Sequence, residues 1–545
     1  MGKIQYNEFQ EALKIYKDVL NIYDEMNNVY SEERAHIYDR LASLYYKLGD
    51  MPNAIEYVEK AREMIEGTSG SANTNTASIY GTICLIYSDI DYEYAKKYGE
   101  RAYQIISSYN KKNSDIISIC QALSYLYANA DRSKSYKYAL ERYNYDKLLF
   151  GEMNIDTILS QMVLANYESN EKKVAILEEL NKKVIANYGE YSIETAIIWN
   201  NLANAYMGIY NETEAKKIYL QCLHIYEDLL GLEHPYVASV YYDLALWAKN
   251  AGEHLLQINY AERAQEIYRN RYGEMYFEVA GLYLLLGDAE FVYSGDYNKS
   301  LRLYENAKQI YIGLYGEMNA FVADCNERRA NIYIMQYDLA TADELIRSCI
   351  EIYENEYGSV SDKMARVLVT QSQINLYSKK FDLAITNANR AMDICKLYGR
   401  ENSPFASEVY YILCSSYYEK NDWEKVNYFA QKVIDLIEMN YPYLRTQSEY
   451  IGACGALAIS YSTNVDYAEL AIDAISKALE LSQQCNNGNI KVQACYEAAM
   501  VYDNLGEKDT ALDYVNDAYL LAKEIDEFHP NLAAILNLKK KILDE

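Results

Sequence analysis

The chain has 545 residues, 50% hydrophobic and 24% charged, which supplies enough apolar material for a folded core and excludes general disorder. With 52 basic and 79 acidic residues the formal net charge is −27, so repulsion disfavours nucleic-acid and anionic-membrane partners and favours a neutral or basic one. Only five prolines and 23 glycines are available for linkers, so we expect one continuous architecture.

The N-terminal region, residues 1–190, predicts helix pairs whose pattern is partly degenerate. The residues that close each second helix are irregular here: Val19, Ala61, Ala102, Tyr143 and Leu180. The stretch GTSGSANTNT, Gly67 to Thr76, is predicted to be a flexible loop between helices, since it lacks the lysine of a phosphate-binding loop. We therefore expect the packing of this region to depart from that of the rest.

Residues 191–530 carry a regular repeat. A small or apolar residue closes each second helix, and from Cys222 to Ala518 it recurs at steps of 42, 43, 42, 42, 42, 45 and 40 residues. A second small residue usually stands seven positions earlier, and an aromatic residue often stands sixteen positions earlier. Two helices approach closely only where the side chains between them are small, while an aromatic ring fills the space beside them. These spacings are helical, so an all-α fold is predicted.

The last segment, residues 531–545, follows His529 and Pro530 and is predicted to be a capping helix that shields the final apolar face. Its basic run, Lys539 to Lys541, is expected to be solvated.

The repeat resembles the tetratricopeptide repeat. The best unit is formed by Trp199, Leu202, Ala203, Tyr206, Ala215, Tyr219 and Cys222. The 42-residue period, with a glycine after each second helix as at Gly231, is similar to the kinesin-light-chain-like subclass. The resemblance implies a right-handed α-solenoid of about 12–13 antiparallel helix pairs that binds a peptide or protein segment in the concave groove of its first helices.

The register of that family assigns candidate partner-binding residues to the groove: Asn200, Asn201, Asn204, Tyr242, Asp243, Lys249, Asn250, Arg328, Asn331, Arg366 and Gln373. Asparagine offers both a donor and an acceptor, so successive asparagines suit the backbone of an extended peptide. Family members use asparagines of the first helix in this way. Ser239 and Asp243 stand where chaperone-binding relatives carry basic residues, so chaperone tails are poor candidate ligands.

Signals of catalysis are weak. The five histidines show no metal-ligand spacing, and no phosphate-binding, dinucleotide-binding or nucleophile-elbow motif occurs. We predict no cofactor, no metal and no enzymatic activity. The alternative is a helical regulatory or sensor subunit that docks on a bacterial effector enzyme, and an enzyme using a Cys–His pair brought together by folding stays open as a third hypothesis.

The cysteines and the hydropathy bear on location. Ten cysteines lack CxxC spacing, and Cys222 and Cys349 fall on apolar helix positions, which predicts buried free thiols in a reducing compartment. The N-terminus lacks an apolar signal core, and no apolar run approaches the roughly eighteen residues that span a bilayer. A cytoplasmic location is predicted.

Overall fold

A computed structural model describes residues 2–25, 32–48, 50–68, 73–88, 90–109, 114–128, 131–485, 487–525, 529 and 531–544. Within these ranges the protein is all-α, with 26 α-helices and no β-strand. The residues group into two compact units, Met1–Ile332 and Tyr333–Glu545, with the division inside a helix. The all-α solenoid predicted from the sequence is thus confirmed, whereas the predicted boundaries at residues 190 and 530 stay predictions.

The helices of the first unit are α1 (Gly2–Glu25), α2 (Glu32–Lys47), α3 (Met51–Thr68), α4 (Thr74–Tyr87), α5 (Tyr92–Ser107), α6 (Asp115–Tyr127), α7 (Arg132–Phe150), α8 (Ile155–Ala165), α9 (Asn170–Tyr188), α10 (Ile193–Gly208), α11 (Glu212–Leu230), α12 (Pro235–Asn250), α13 (His254–Tyr272), α14 (Phe277–Ala289) and α15 (Tyr297–Tyr315). The division falls within α16 (Ala320–Met335). The second unit continues with α17 (Leu339–Tyr357), α18 (Asp362–Tyr377), α19 (Phe381–Leu397), α20 (Pro404–Glu419), α21 (Trp423–Asn440), α22 (Ser448–Ser462), α23 (Ala468–Gln483), α24 (Gly488–Asn504), α25 (Lys508–Ile525) and α26 (Leu532–Asp544).

The even-numbered helices from α2 to α24 are the first helices of the pairs, and the odd-numbered helices from α3 to α25 are the second helices. In the first unit each first helix packs on the second helix that follows it, from α2 with α3 to α14 with α15. The second unit repeats the arrangement from α18 with α19 to α24 with α25. The residues predicted to close the second helices lie in the middle of them instead, since α3 continues from Ala61 to Thr68 and α11 from Cys222 to Leu230. Most of them are fully buried: Ala61, Ala102, Cys222, Ala264, Ala391 and Ala518. Val19 and Tyr143 are only half-buried.

Capping residues explain where the pairs begin and end. Asn211, for example, accepts a hydrogen bond from the backbone N–H of Glu214 and starts α11. At the other end of α11, Gly231 has a φ of 90° and donates its N–H to the carbonyl of Glu227 at 3.0 Å. A positive φ favours glycine, which accounts for the glycine predicted after the second helices.

The loop predicted from Gly67 to Thr76 is wrong at both ends. Helix α3 extends through Gly67 to Thr68, and α4 already begins at Thr74. Asn73 starts α4, because its side chain accepts a hydrogen bond from the backbone N–H of Thr76 at 2.8 Å. Residues 69–72 of the predicted loop lie outside the described residues.

Within the first unit, helices far apart in sequence also meet. Helix α15 contacts α3, so the first and seventh pairs of the unit touch. Tyr272, the last residue of α13, lines a cleft of about 590 Å³ together with Leu13 and Lys17 of α1 and Tyr45 of α2. The pairs between α3 and α15 therefore form a turn that closes on itself.

The C-terminal helix covers the end of the second unit. In α26, Ile535, Leu538 and Ile542 are buried in a cluster shared with α25. His529 precedes the helix, and its Nδ1 accepts a hydrogen bond from the backbone N–H of Asn531 at 3.2 Å. Helix α26 thus packs its apolar side chains against α25, and its predicted role as a cap stays a prediction.

Candidate binding surface

The residues assigned to a binding groove from the sequence lie mainly on the first helices of the first unit. In α12, Leu244 and Ala248 are fully buried, whereas Asp243 and Lys249 are half-buried on another side of the helix. We call the side that carries the assigned residues of α10, α12 and α16 the inner face: Asn200, Asn201, Asn204, Tyr242, Asp243, Lys249 and Arg328.

The three asparagines of α10 already have partners within the protein. The Asn200 side-chain amide donates to Oδ2 of Asp243 at 2.7 Å, which links α10 to α12. The Asn201 amide donates to the Ile197 carbonyl of its own helix at 2.9 Å, and Oδ1 of Asn204 accepts from the Tyr219 hydroxyl at 2.5 Å. Asn204 is nevertheless exposed and Asn201 half-buried, so both side chains are accessible while their orientation is fixed.

Asp243 lies at the centre of this network. Burial raises the pKa of its carboxyl to about 6, against the opposing effect of hydrogen bonds from Asn200 and Asn204. At neutral pH the group is therefore ionised, and a carboxylate with amide donors on α10 faces the inner side of the first unit.

A second polar cluster joins α12, α14, α15 and α16 around Asp288. The ammonium of Lys249 lies 2.6 Å from Oδ2, and Nε of Arg328 lies 3.1 Å from Oδ1. The hydroxyl of Tyr304 donates to Oδ1 at 2.8 Å. Although burial acts in the opposite direction, the charges of Arg328 and Lys249 hold the pKa of Asp288 below its ordinary value. Two cations, Lys249 and Arg328, thus share one internal carboxylate.

Two tyrosines on first helices, one in each unit, cover glycines of the next first helix. A Cβ built on Gly281 of α14 would lie 3.1 Å from the hydroxyl of Tyr242, and a Cβ on Gly452 of α22 would lie 2.4 Å from that of Tyr411. The same contact therefore occurs once in each unit. Tyr242, assigned from the sequence to partner binding, also packs α12 against α14.

The remaining assigned residues are more scattered. Asn250 and Asn331 are exposed on α12 and α16, both in the first unit. Arg366 is exposed and Gln373 half-buried on α18, which belongs to the second unit. The assignment of these eleven residues to partner binding stays a prediction.

In the second unit, the first helix α22 is largely buried. Twelve of the fifteen residues of α22 are buried. The hydroxyl of Tyr418 on α20 lies 3.7 Å from the sulfur of Met500 on α24, so side chains of α20 and α24 meet beside α22. Glu497 is 6% exposed, and Oε2 of its carboxyl has no hydrogen-bond partner. Burial raises the pKa of Glu497 to about 8, opposed by a hydrogen bond from Gln493.

A groove in the first unit was missed by the sequence analysis. It has a volume of about 960 Å³ and is lined mainly by the first helices α2, α4, α6 and α8 and by α7. Arg40 and Ser43 of α2 line it. They occupy the same repeat positions as Asn201 and Asn204 of α10. Arg40 stands as many residues before Ala61 as Asn201 does before Cys222, and the same holds for Ser43 and Asn204. Applying the register of α10 to α2 would have found this groove.

Histidine and cysteine, the residue types that a catalytic or metal site would use, lie in structural positions. Nδ1 of His234 accepts the backbone N–H of Tyr236 at 3.0 Å and so caps α12, and burial lowers the pKa of this imidazole to about 4. All ten cysteines are buried and form no disulfide. Over the described ranges, no three His, Cys, Asp or Glu side chains are grouped as metal ligands.

None of the described helices combines the length and apolarity needed to cross a bilayer.

Paired helices with small residues at their crossings and a polar inner face define a helical-repeat protein. Family models of the tetratricopeptide repeat match residues 33–108, 194–270 and 492–525. These segments carry tetratricopeptide repeats, as expected from the sequence. The 42-residue steps and the 19-residue second helices α11, α13, α15 and α17 agree with the kinesin-light-chain-like type.

Similar proteins include the Clustered mitochondria protein homolog of Xenopus tropicalis, 28% identical over 180 residues. The match covers 32% of this chain but only 14% of that protein. Among solved structures, the apo form of the quorum sensor NprR from B. thuringiensis is 15% identical with a TM-score of 0.48, covering 67% of this chain and 97% of that one. BtubC from P. vanneervenii is 18% identical with a TM-score of 0.35, covering 44% and 92%.

Proposed function

We propose that the protein is a non-enzymatic scaffold or adaptor whose inner face in the first unit binds a peptide or protein segment. Repeats of this family support a role in protein interaction, since stacked helix pairs create extended concave binding surfaces. The finer assignment, to the face that carries Asn201, Asn204 and Asp243, is our proposal.

The observation that carries the proposal is the fixed geometry of the polar side chains on this face. Asn200 and Asp243 are joined across α10 and α12, and Asp288 is joined to Lys249 and Arg328 across α12, α14 and α16. A side chain that is already ordered loses little rotamer entropy when a ligand binds, and its donors and acceptors keep their positions. Such a face suits the repeating N–H and C=O groups of an extended peptide.

Charge favours a neutral or basic segment. Lys249 and Arg328 share the single carboxylate of Asp288, whereas the partners of Asp243 are neutral amides, so these four charges sum to zero and the face itself is near neutral. The net charge of −27 adds a long-range attraction for cations. A cytoplasmic location is part of the proposal, supported by ten buried cysteines that form no disulfide.

The test begins with a display library of random peptides selected on the full chain. The affinity of selected peptides is then measured by fluorescence anisotropy for the wild type and for Asn201→Ala, whose amide contacts only its own helix among the hydrogen bonds described. One hydrogen bond contributes about 0.5–1.5 kcal/mol, so an increase in Kd of about two- to twelvefold is expected. The double variant with Asn204→Ala should lose about tenfold or more.

The matched control is Asn306→Ala, which removes an exposed asparagine from the second helix α15. This variant should bind the selected peptides like the wild type. Equal affinity of the Asn201→Ala and wild-type proteins for every selected peptide would refute the proposed face. Capture of a folded effector enzyme whose binding is insensitive to Asn201→Ala would instead support the regulatory-subunit alternative.

A further inference from the structure

The groove on the N-terminal pairs of the first unit has no role in the function proposed above. Its volume of about 960 Å³ lies at the upper end of the range of ligand pockets, about 300–1,000 Å³. Its walls come from the successive first helices α2, α4, α6 and α8 and from α7. The groove therefore runs across several repeat units, as a site for an extended chain would.

The charge of the lining is opposite to that of the protein. Among the described residues that line the groove are four cationic side chains, Arg40, Lys47, Arg132 and Arg142, and one carboxylate, Asp115. In the whole chain acidic residues outnumber basic ones by 79 to 52. A cationic lining in so acidic a protein concentrates positive potential in one place, and the surrounding walls strengthen it.

Neighbouring carboxyl groups neutralise these cations only in part. Asp146, 1% exposed, lies 3.6 Å from Nε of Arg142, too far for a hydrogen bond, and neither of these two atoms has another partner among the described residues. Burial raises the pKa of Asp146, as it raises that of the fully buried Asp39 next to Arg40. Both carboxyls thus ionise less readily than exposed ones.

Hydrogen bonds within the protein also hold the side chains of two of these arginines. Nη2 of Arg132 donates to the carbonyl of Tyr167 at 2.8 Å, which fixes the side chain at the edge of the groove. Nε of Arg40 donates to Nε2 of His36 at 3.4 Å. A guanidinium has five N–H donors, so each side chain retains donors for a carboxylate ligand.

Between the cations, the groove presents hydroxyl oxygens. Ser78 donates to Oδ2 of Asp39 at 3.5 Å, and Thr82 donates to the Ser78 carbonyl at 3.2 Å. With their protons directed inside the protein, these oxygens are acceptors for incoming N–H groups. Ser43, Ser118 and Gln121 add further polar groups to the walls. Acceptors for N–H groups next to guanidinium donors match a peptide backbone that carries carboxylates.

We propose that this N-terminal groove binds an acidic peptide segment, with Arg40, Arg132 and Arg142 holding its carboxylate side chains. This inference rests on the proposed function, because it assumes that the protein holds a peptide. It differs in site and in ligand charge from the inner face around Asp243. A partner that occupies both surfaces would carry an acidic stretch in addition to its neutral or basic one.

The experiment measures the binding of three fluorescein-labelled peptides to the full chain by anisotropy: hexaglutamate, hexaglutamine and hexalysine, each in the same Gly-Ser flanks. Hexaglutamate should bind at least tenfold more tightly than hexaglutamine at low ionic strength. The difference should shrink as salt is added, because salt screens charges on the rim of the groove.

Two variants test the site, and each removes one charge. Arg132→Gln and Arg40→Gln should each weaken hexaglutamate binding by about three- to tenfold. The matched control is Arg101→Gln, which makes the same charge change at an exposed position of the second helix α5. This control should lower the affinity by less than twofold. Circular dichroism of each variant verifies that the helices are intact.

Two outcomes would overturn the inference: hexaglutamate that binds no better than hexaglutamine, or an Arg101→Gln protein that loses as much affinity as Arg132→Gln. The library-selected peptides separate this result from failure of the proposed function. If Asn201→Ala weakens those peptides while hexaglutamate does not bind, the inner face stands and the acidic site fails. If hexaglutamate binding depends on Arg132 while Asn201→Ala affects no peptide, the acidic site stands and the inner face fails.

Discussion

Replacing Asp243 by Asn tests the energetic cost of the carboxylate at the centre of the inner face. The pKa of this carboxyl is about 6 in the folded protein against an ordinary value of 3.8, and one pKa unit corresponds to about 1.4 kcal/mol. The ionised form therefore costs the folded state about 3 kcal/mol. Because the folded-state pKa is raised, the cost is absent below about pH 4, grows between pH 4 and 6, and is complete at higher pH.

Asp243→Asn removes the charge and keeps the shape. Oδ1 of Asn200 has no hydrogen-bond partner, so rotation of that amide by half a turn lets it accept a bond from the new side chain. We expect the region around α10 and α12 to be more stable than in the wild type at pH 8, by up to about 3 kcal/mol, and unchanged at pH 4.

Hydrogen exchange detected by mass spectrometry measures this change locally, which matters in a protein with two units. At pH 8, peptides from α10 and α12 should exchange up to about a hundredfold more slowly in the variant, provided that exchange reports local opening. Glu262→Gln, at an exposed position of α13, is the control and should leave the rates unchanged. Equal or faster exchange of α10 and α12 in Asp243→Asn at pH 8 would refute this reasoning.

Two further predictions concern the second unit. Because burial raises the pKa of Glu497 from 4.5 to about 8, ionisation of this group opposes folding progressively between those pH values. Glu497→Gln should therefore raise the melting temperature at pH 9 and change it little at pH 4.5, as measured by calorimetry; an equal shift at both pH values would contradict the assignment. Gly452→Ala should destabilise the unit by about 1–3 kcal/mol, because the new Cβ would lie 2.4 Å from the Tyr411 hydroxyl. Urea unfolding should show a smaller cost in a Tyr411→Phe background, and an undiminished cost would place the strain elsewhere.

The helix pairs could be predicted because the rule that creates them is local. A small residue recurs where two helices cross, and Ala61, Cys222 and Ala264 are indeed fully buried. Helix termini were harder to predict: the glycines and polar residues from Gly67 to Thr76 suggested a loop, yet α3 and α4 extend into this stretch. Favourable packing of the flanking turns overrides the weak intrinsic preference of such residues.

Only part of the candidate binding surface could be predicted from the sequence. The register placed Asn200, Asn204 and Asp243 on one side of the first helices, but it could not reveal that these side chains bond to one another. That contact joins residues 43 positions apart and depends on how closely α10 approaches α12. The N-terminal groove was missed because serine and arginine occupy the positions that carry asparagine in α10. A search for asparagines alone does not detect such replacements.

The contact between α3 and α15 has a consequence for how the first unit folds. In an open array of repeats each pair touches only its neighbours, so folding can begin at any pair and the ends can fray independently. A contact between the first and seventh pairs closes a long loop, and the entropy of closing it must be lost before the contact forms. We therefore expect the closed turn to form late, to slow folding relative to an open array and to couple the unfolding of α3 to that of α15.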